Sequence, residues 1–416
     1  MYRGWLQLAG AELTNTSRLI AHARPDVPQS WEEALAQCAC RADYVQYDDS
    51  WPGLQDFLGD DPYVLANAPW YDPSVPQSSE FLGYWVLSVE GLGPIPVDRA
   101  VSDAICSGGV AGPHRDRYRT ITVAAVLVAC TNAGVEFGLE WLACQLREAK
   151  SLQGTTLEYL AAHPENSAAD PALLRRTMSR VVVTREPKVT TQFGIRGSEN
   201  RQSAVYVADF ELTALDPYTY GPAITQTVSW ASTVTEQIGW AHPPDCEDPE
   251  SCAEIPILAS AVCVPNVIDV TPVQPPVCSG CIPVCQVQTR VATVPSAVGV
   301  LCRDQVVTLI ITAGATDASV NFWFRPCGET ALCDRVGFLS VAGLPAGTTV
   351  VADSVLGRPY GLVGGQQVRQ VGIVHTPSGA PWTPTILDSG ECWELVAQHE
   401  PGADFTVQIA VRGRAA

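Results

Sequence analysis

The chain has 416 residues and a formal net charge of −19, with 44 acidic against 25 basic residues. The length predicts about two or three domains with a sizeable buried core, and phosphate backbones repel a chain this acidic, which argues against sequence-specific nucleic-acid binding. The N-terminal MYRGWLQLAG lacks a signal-peptide pattern and the longest apolar run, near Val123–Cys130, is too short to span a bilayer, so we expect synthesis in the cytoplasm without membrane insertion.

The first predicted elements are two short strands within residues 3–20, Trp5–Ala9 and Glu12–Thr14, joined by a turn at Gly10. Residues 25–78 are rich in Pro, Asp and Trp and predict an irregular segment with one helical turn at Trp31–Cys38. Its carboxylate pairs, Asp48–Asp49 and Asp60–Asp61, are predicted to be solvated turn residues. A loop of this length is usually functional, or is held by a partner.

Residues 1–241 predict a mainly β N-terminal domain. Further strands are expected at Phe81–Glu90, Tyr118–Ala129, Val181–Thr184, Val189–Phe193 and Val205–Leu215. One amphipathic helix is predicted after the cap at Thr131–Asn132, because Val135, Leu139 and Leu142 recur at helical spacing. The expected arrangement is a β-sandwich-like domain with one α-helix packed on a sheet.

Residues 242–296 are rich in Pro and Cys and poor in periodicity, which predicts an extended linker. Beyond it, residues 297–416 predict a second β-sandwich domain with its own core. Its short strands are expected at Val306–Thr312, Val320–Phe324, Val336–Ala342, Thr348–Ala352, Val368–Val374 and Phe405–Val411.

No catalytic constellation is found in the sequence. The phosphate-binding loop, the metalloprotease helix, the nucleophile elbow and the calcium-binding loop are absent. Gly108–Gly112 is glycine-rich but predicts a hairpin turn rather than a nucleotide site, and the six histidines are scattered. We therefore predict a protein that is not an enzyme, with no cofactor and no assigned metal site.

Six of the 15 cysteines crowd one short region, namely Cys246, Cys252, Cys263, Cys278, Cys281 and Cys285. The Cys278–Cys281 pair has zinc-ribbon spacing, but no second pair repeats it cleanly. Zinc ligation, disulfides in an exported particle and free thiols all stay open for this cluster.

The aromatic-proline stretch NAPWYDPSVPQSSEFLGYWVLSVEGL at 67–92 supplies the candidate site residues Trp70, Tyr71, Asp72 and Pro73. Aromatic side chains offer large contact area at low entropy cost and concentrate at interfaces, so these residues are predicted to anchor a partner. The alternative is that Trp70 and Tyr71 fold back onto the core of their own domain.

This stretch, together with GGVAGPHRDRYRTITVAAVLVA and the GLEWL of the predicted helix, resembles minor tail proteins of the distal tail protein type, from long-tailed phages (siphophages) that infect actinobacteria. The opening GWLQLAGAELTNTSR and the later VADFELTALDPYTYG are also similar to segments of that family. The resemblance covers nearly all of the chain, although after about residue 290 it is mainly one of architecture.

The resemblance implies a structural virion protein of the tail tip or baseplate. It would form a ring, typically a hexamer, that joins the tail tube to the tip complex around an acidic or neutral DNA channel, with a galectin-like C-terminal β-sandwich projecting outward. The implied partners are further copies of the chain, the tail tube protein, the tape measure protein and the tail hub or tip proteins.

Two rival functions remain open. One is an adhesin that binds host cell-wall glycan through the C-terminal domain, which an exposed Trp382 or Trp393 lining a shallow pocket would favour. The other is a hydrolase that degrades the host envelope.

Overall fold

The computed structural model describes residues 2–23, 49–104, 107–151, 154–193, 203–237, 286–298, 304–330, 334–369, 372–376 and 379–415. The chain divides into two compact units, Met1–Pro222 with Ala415–Ala416, and Ala223–Arg414. The units therefore meet at residues 222 and 223, whereas the sequence predicts the first domain to end at residue 241. Most of the predicted linker, up to residue 285, lies outside the described residues, so its linker character stays a prediction.

The first unit is mainly antiparallel β-structure, as predicted. Its strands are β1 (Trp5–Leu8), β2 (Ala11–Asn15), β3 (Phe81–Glu90), β4 (Val97–Asp98), β5 (Val101–Asp103), β6 (Gly109–Ala111), β7 (Arg115–Asp116), β8 (Arg119–Ala129), β9 (Thr155–Leu160), β10 (Arg175–Phe193), β11 (Val205–Ala214) and β12 (Thr219–Tyr220). Its described helices are α1 (Thr16–Ala23), α2 (Leu54–Leu58), α3 (Asn132–Gln145) and α4 (Pro171–Leu174). The sequence predicted only α3, and the helical turn predicted at Trp31–Cys38 lies outside the described residues.

The long strand β10 joins two runs of paired strands in this unit. One run has the order β2-β1-β9-β10, and the other continues β10-β11-β8-β3. The sequence predicted two strands where β10 is continuous, because Pro187 interrupts the pattern. Register shifts between Arg185 and Lys188 in the β10–β11 pair accommodate the proline without ending the strand.

Helix α3 packs closely on β3. The hydroxyl of Thr131 accepts a hydrogen bond from the Gly134 amide at 3.0 Å, which confirms the predicted N-cap. At Gly138 a Cβ would lie 2.3 Å from the Phe81 ring, so only glycine permits this approach. The hydroxyl of Tyr84, on β3, donates to the Gly138 carbonyl at 2.7 Å. These contacts place the helix over the core of the first unit.

The second unit is a β-sandwich. Its strands are β13 (Ile224–Thr227), β14 (Ser232–Gln237), β15 (Gln286–Thr293), β16 (Asp304–Ala313), β17 (Ala318–Pro326), β18 (Val336–Leu344), β19 (Thr349–Asp353), β20 (Arg358–Val363), β21 (Gln366–Val368), β22 (Val374–His375), β23 (Ile386–Asp388), β24 (Trp393–His399) and β25 (Phe405–Ala415). One sheet has the order β13-β25-β16-β19-β20-β21, with β23 also paired to β16, and the other has the order β14-β15-β24-β17-β18-β22. Side chains of both sheets, such as Ile311 and Phe322, share one buried cluster.

One strand prediction for this unit is wrong. The stretch Val368–Val374 is not a single strand, because β21 pairs with β20 in one sheet while β22 pairs with β18 in the other. No helix among the described residues is long and apolar enough to cross a membrane.

Candidate assembly surface

Trp70 belongs to the core of the first unit. Its side chain is only 4% exposed, and its indole nitrogen donates a hydrogen bond to the Phe81 carbonyl at 3.1 Å. The ring makes edge-on contacts with Phe81, Tyr84 and Trp141, with centroids 5.1 to 5.9 Å apart. Trp70 therefore packs on the core of its own unit, which was the alternative prediction, and its aromatic ring contacts residues of the same chain.

The other three candidate residues lie nearer to solvent. Tyr71 is partly buried against the same core, while Asp72 and Pro73 are exposed. The Asp72 carboxylate accepts hydrogen bonds from the amide and hydroxyl of Ser74 at 2.9 and 2.7 Å, and these bonds lower the pKa of Asp72. The loop is thus fixed by its own side chains. That Asp72 and Pro73 contact a partner stays a prediction.

The segment before this loop is tied to the N-terminal elements by a buried polar network. The Arg18 guanidinium pairs with Glu12 at 2.8 Å and with Asp60 at 3.4 Å, and it lies over the Tyr63 ring. Burial raises the pKa of Glu12, and the charge of Arg18 opposes that rise. Asp60 is therefore an ion-pair partner rather than a solvated turn acid.

Asp49 departs from its prediction in the same way. It is 7% exposed and its carboxylate pairs with Arg3 at 2.8 Å. Residues 49–78 are consequently anchored by two of their acids to Arg3, before β1, and to Arg18, in α1, since burial of a carboxylate requires a partner. Asp48 lies outside the described residues.

A second feature of the first unit, described at residues 91–104 and 107–118, is almost entirely exposed there. We call residues 91–118 the arm. Strands β4 and β7 pair Val97 with Asp116, and strands β5 and β6 pair Val101 with Ala111, so the arm is a two-stranded ribbon. Every residue of these four strands is exposed. Gly108 has a φ of +85° directly before β6, but Gly109–Ala111 form that strand, so the hairpin turn predicted over Gly108–Gly112 is wrong for most of its length.

The arm carries apolar side chains that nothing within the described chain covers. Val101 is 71% exposed, and Val97, Val110 and Tyr118 are each more than half exposed. Residues opposite one another share a face of a ribbon, so Val101 lies on one face with Ala111 and Val110 on the other with Ser102. An isolated two-stranded ribbon is marginally stable in water. The arm therefore has the physical character of a segment that is completed by another surface.

The root of the arm is fixed despite this exposure. Gly91 has a φ of +87°, and a Cβ there would lie 1.8 Å from the Thr120 carbonyl oxygen. The Arg117 amide donates to the Pro96 carbonyl at 2.9 Å, and the Tyr218 hydroxyl donates to Asp116. The Arg119 guanidinium donates to the Gly93 carbonyl at 2.6 Å. These contacts set the direction in which the arm leaves the unit.

The aromatic residues that would favour glycan binding lie within the second unit. Trp382 is 8% exposed within the sandwich core, and Trp393 is partly buried with its indole nitrogen donating to the Asp388 carbonyl at 2.9 Å. Neither presents an open ring face of the kind that a shallow sugar pocket needs. The feature expected of an adhesin is therefore not found at these two residues.

The cysteine cluster from Cys246 to Cys285 lies outside the described residues, so its three alternatives stay open. Among the described residues no group of His, Cys, Asp and Glu side chains could hold a metal ion. A disulfide joins Cys327 and Cys392 in the second unit, with 5.3 Å between their Cα atoms. No local sequence pattern indicates this pair, because the pairing of β17 with β24 brings the two residues together.

Comparison with known proteins gives distant likenesses only. No protein-family model matches the chain, and no curated protein sequence matches it. Among solved structures the chain is similar to the Dit (gp 19.1) protein of SPP1, described as a paradigm of hub adsorption apparatus in Gram-positive infecting phages. The identity is 13% and the TM-score 0.39, over 82% of this chain and 96% of that chain.

Two further similar structures are of the phage P2 baseplate in its activated conformation. The one with calcium is 8% identical with a TM-score of 0.42, over 80% of this chain and 91% of that chain. The one with strontium is 11% identical with a TM-score of 0.39, over 78% and 90%. The structural neighbours are thus phage tail hub and baseplate proteins. TM-scores this low do not establish a shared fold, so these likenesses carry no argument about the chain.

Proposed function

We propose that the chain is a non-catalytic structural protein of a phage tail tip, of the distal tail type, whose copies assemble into a ring through the arm. The observation that carries the proposal is a rigidly rooted ribbon with exposed valines on both faces. The resemblance of residues 67–92 and of the following strands to distal tail proteins gives the setting. This function needs no catalytic residue and no cofactor.

The charge of the arm favours a second copy of the chain as its binding partner. The arm contains three aspartates and three arginines, so it is close to neutral in a chain with a net charge of −19. If two copies met through other parts of this acidic chain, like charges would come together. The arm can approach a second copy with little repulsion. A contact between the arm and a different surface of the next copy is heterologous, and repetition around an axis closes it into a ring.

The finer parts of this function rest on the resemblance. The proposed ring has six copies and an acidic or neutral bore for the genome, and it contacts the tail tube, tape measure and hub or tip proteins. The resemblance also suggests a galectin-like fold of the second unit and an actinobacterial host. The role of Trp70 changes from a contact residue to a support of the fold beneath the surface.

The test compares two triple variants by native mass and by incorporation into tails. Val97→Ser with Val101→Ser and Val110→Ser removes the exposed valines of the arm. Val234→Ser with Val363→Ser and Val368→Ser removes exposed valines of the second unit and is the matched control. Both sets should leave the melting temperature near that of the parent, because exposed substitutions change stability by only about 0.5 kcal/mol.

We expect the arm variant to lose self-association and the control to retain it. Assembly of the arm variant at the parent's concentration would contradict the proposal. Loss of assembly in the control alone would move the interface to the second unit.

A further inference from the structure

Arg119 is a buried cation without a counter-charge. Its side chain is 2% exposed, and among the described residues it forms no ion pair with a carboxylate. Within this described part of the chain, the guanidinium donates one hydrogen bond, from Nη1 to the Gly93 carbonyl, and its Nε has no acceptor. Burial lowers the pKa of Arg119, and its interaction with Tyr159 opposes that shift.

Such an arrangement does not favour folding. Burial of a guanidinium with one neutral acceptor leaves most of its desolvation cost uncompensated. Replacement of a buried ion pair by apolar residues is often neutral or stabilising, and we expect the same when an apolar side chain of similar length replaces this arginine. Gly93 is exposed, so water can satisfy its carbonyl once the arginine is gone. The fold of the first unit therefore has little need of this residue.

The arm, in contrast, depends on Arg119 at the place where both of its strands meet the unit. Arg119 begins β8, the strand that follows the arm, and Gly93 lies just beyond β3, the strand that precedes it. Its hydrogen bond thus ties the outgoing segment to the returning one. The next hydrogen bond between the two sides of the arm, from the Arg117 amide to the Pro96 carbonyl, lies further from the body of the unit.

We propose that Arg119 is a positioning residue that fixes the direction of the arm and that it serves assembly rather than folding. This inference rests on the proposed function, because the arm must point correctly to reach a second copy. A preset direction lowers the entropy lost when the arm docks.

The test uses Arg119→Met with Arg176→Met as the matched control. Arg176 donates to the Leu173 carbonyl at 2.7 Å and to the Arg175 carbonyl at 2.9 Å, so its loss also removes bonds from an arginine to carbonyls, but outside the arm. For Arg119→Met we expect a melting temperature equal to or above that of the parent. The rate of amide hydrogen exchange in the arm should rise by about tenfold or more, since the bond lost is charge-assisted. The protein concentration needed for assembly should rise by a similar factor. The control should change neither quantity.

Three results overturn the inference. One is a clear fall in the melting temperature of Arg119→Met, which would make Arg119 a folding residue. Unchanged exchange in the arm is the second, and unchanged assembly with accelerated exchange is the third.

An arm truncation separates this inference from the proposed function. Because Pro96 and Arg117 are hydrogen-bonded, an Asn-Gly turn can replace residues 97–116. If the truncated chain assembles as the parent does, the proposed function fails. If truncation abolishes assembly while Arg119→Met assembles normally, only the role of Arg119 fails.

Discussion

At the scale of single residues, burial decides what the aromatic-proline stretch can do. Trp70 is large, surrounded by other aromatic rings, and hydrogen-bonded through its indole nitrogen. Sequence reasoning identified it as unusual but left two uses open, because a loop tryptophan between prolines has no periodicity that reveals which way it faces. The buried position could be read only from the packing of α3 and β3 around it.

The first residue-scale prediction concerns Trp70→Ala. We expect it to lower the free energy of unfolding of the first unit by about 3–5 kcal/mol, since it opens a cavity in the core and leaves the Phe81 carbonyl without its donor. Urea denaturation followed by fluorescence would measure the loss. Pro73→Ala, on the exposed part of the same loop, should change it by less than about 0.5 kcal/mol. Equal stability of Trp70→Ala and the parent would show that the tryptophan is not a core residue.

A second residue-scale prediction concerns pH and His22. Burial lowers the pKa of His22 to about 4, and its Nδ1 lies 2.9 Å from the Leu82 carbonyl oxygen. A histidine whose folded pKa is depressed contributes stability above its unfolded pKa of about 6.5, and that contribution is lost as the pH falls towards 4.

The first unit should therefore lose up to about 3 kcal/mol of stability as the pH falls from about 6.5 to about 4. His22→Leu should flatten this dependence, whereas His114→Gln, on the exposed arm, should leave it intact. Denaturation at a series of pH values measures the slope. If stability depends on pH in His22→Leu as steeply as in the parent, groups other than His22 cause the dependence.

At the scale of elements, the disulfide between β17 and β24 is predicted to stabilise the second unit alone. Cys327 and Cys392 are 65 residues apart in sequence, so their bond restricts a long loop of the unfolded chain. Cys327→Ser with Cys392→Ser should lower the stability of this unit by about 2–5 kcal/mol. Calorimetry should show a lower second-unit transition and an unchanged first-unit transition.

The control for this prediction uses the two described free cysteines. Cys130→Ser with Cys144→Ser removes exposed thiols of the first unit and should leave both transitions in place. If the control and the disulfide variant behave alike, the bond contributes nothing to the stability of the sandwich.

Local pattern was enough for elements whose signals lie within a few residues. The cap at Thr131, the alternation of β11 and the apolar strands β3 and β8 follow from the sequence because each is specified by neighbours along the chain. Elements defined by distant partners were missed or misplaced. β13 pairs Ile224 with Val411, which draws residues after 222 into the second unit, and no local pattern contains that pairing. Helix α1 was likewise absent from the prediction for residues 3–20.

The arm illustrates the same limit for the candidate site. Its glycines predicted a turn, but the exposure of Val97, Val101 and Val110 is a property of the folded chain, since isolated valines in a strand pattern normally indicate a core face. The best sequence signal was the balance of aspartate and arginine in residues 97–117 within a strongly acidic chain. That balance acquires meaning only once the ribbon is known to project.

At the scale of the whole molecule, the central claim is that copies of this chain associate through the arm into a closed ring. The measurement is the native mass of the purified, unmodified protein over a range of concentrations, alone and mixed with the tail proteins proposed as its partners. We expect a discrete species at a fixed multiple of the 44.5 kDa chain, six-fold by resemblance to distal tail proteins. A mass of 44.5 kDa at every concentration, in the presence of those proteins as well, would contradict the central claim.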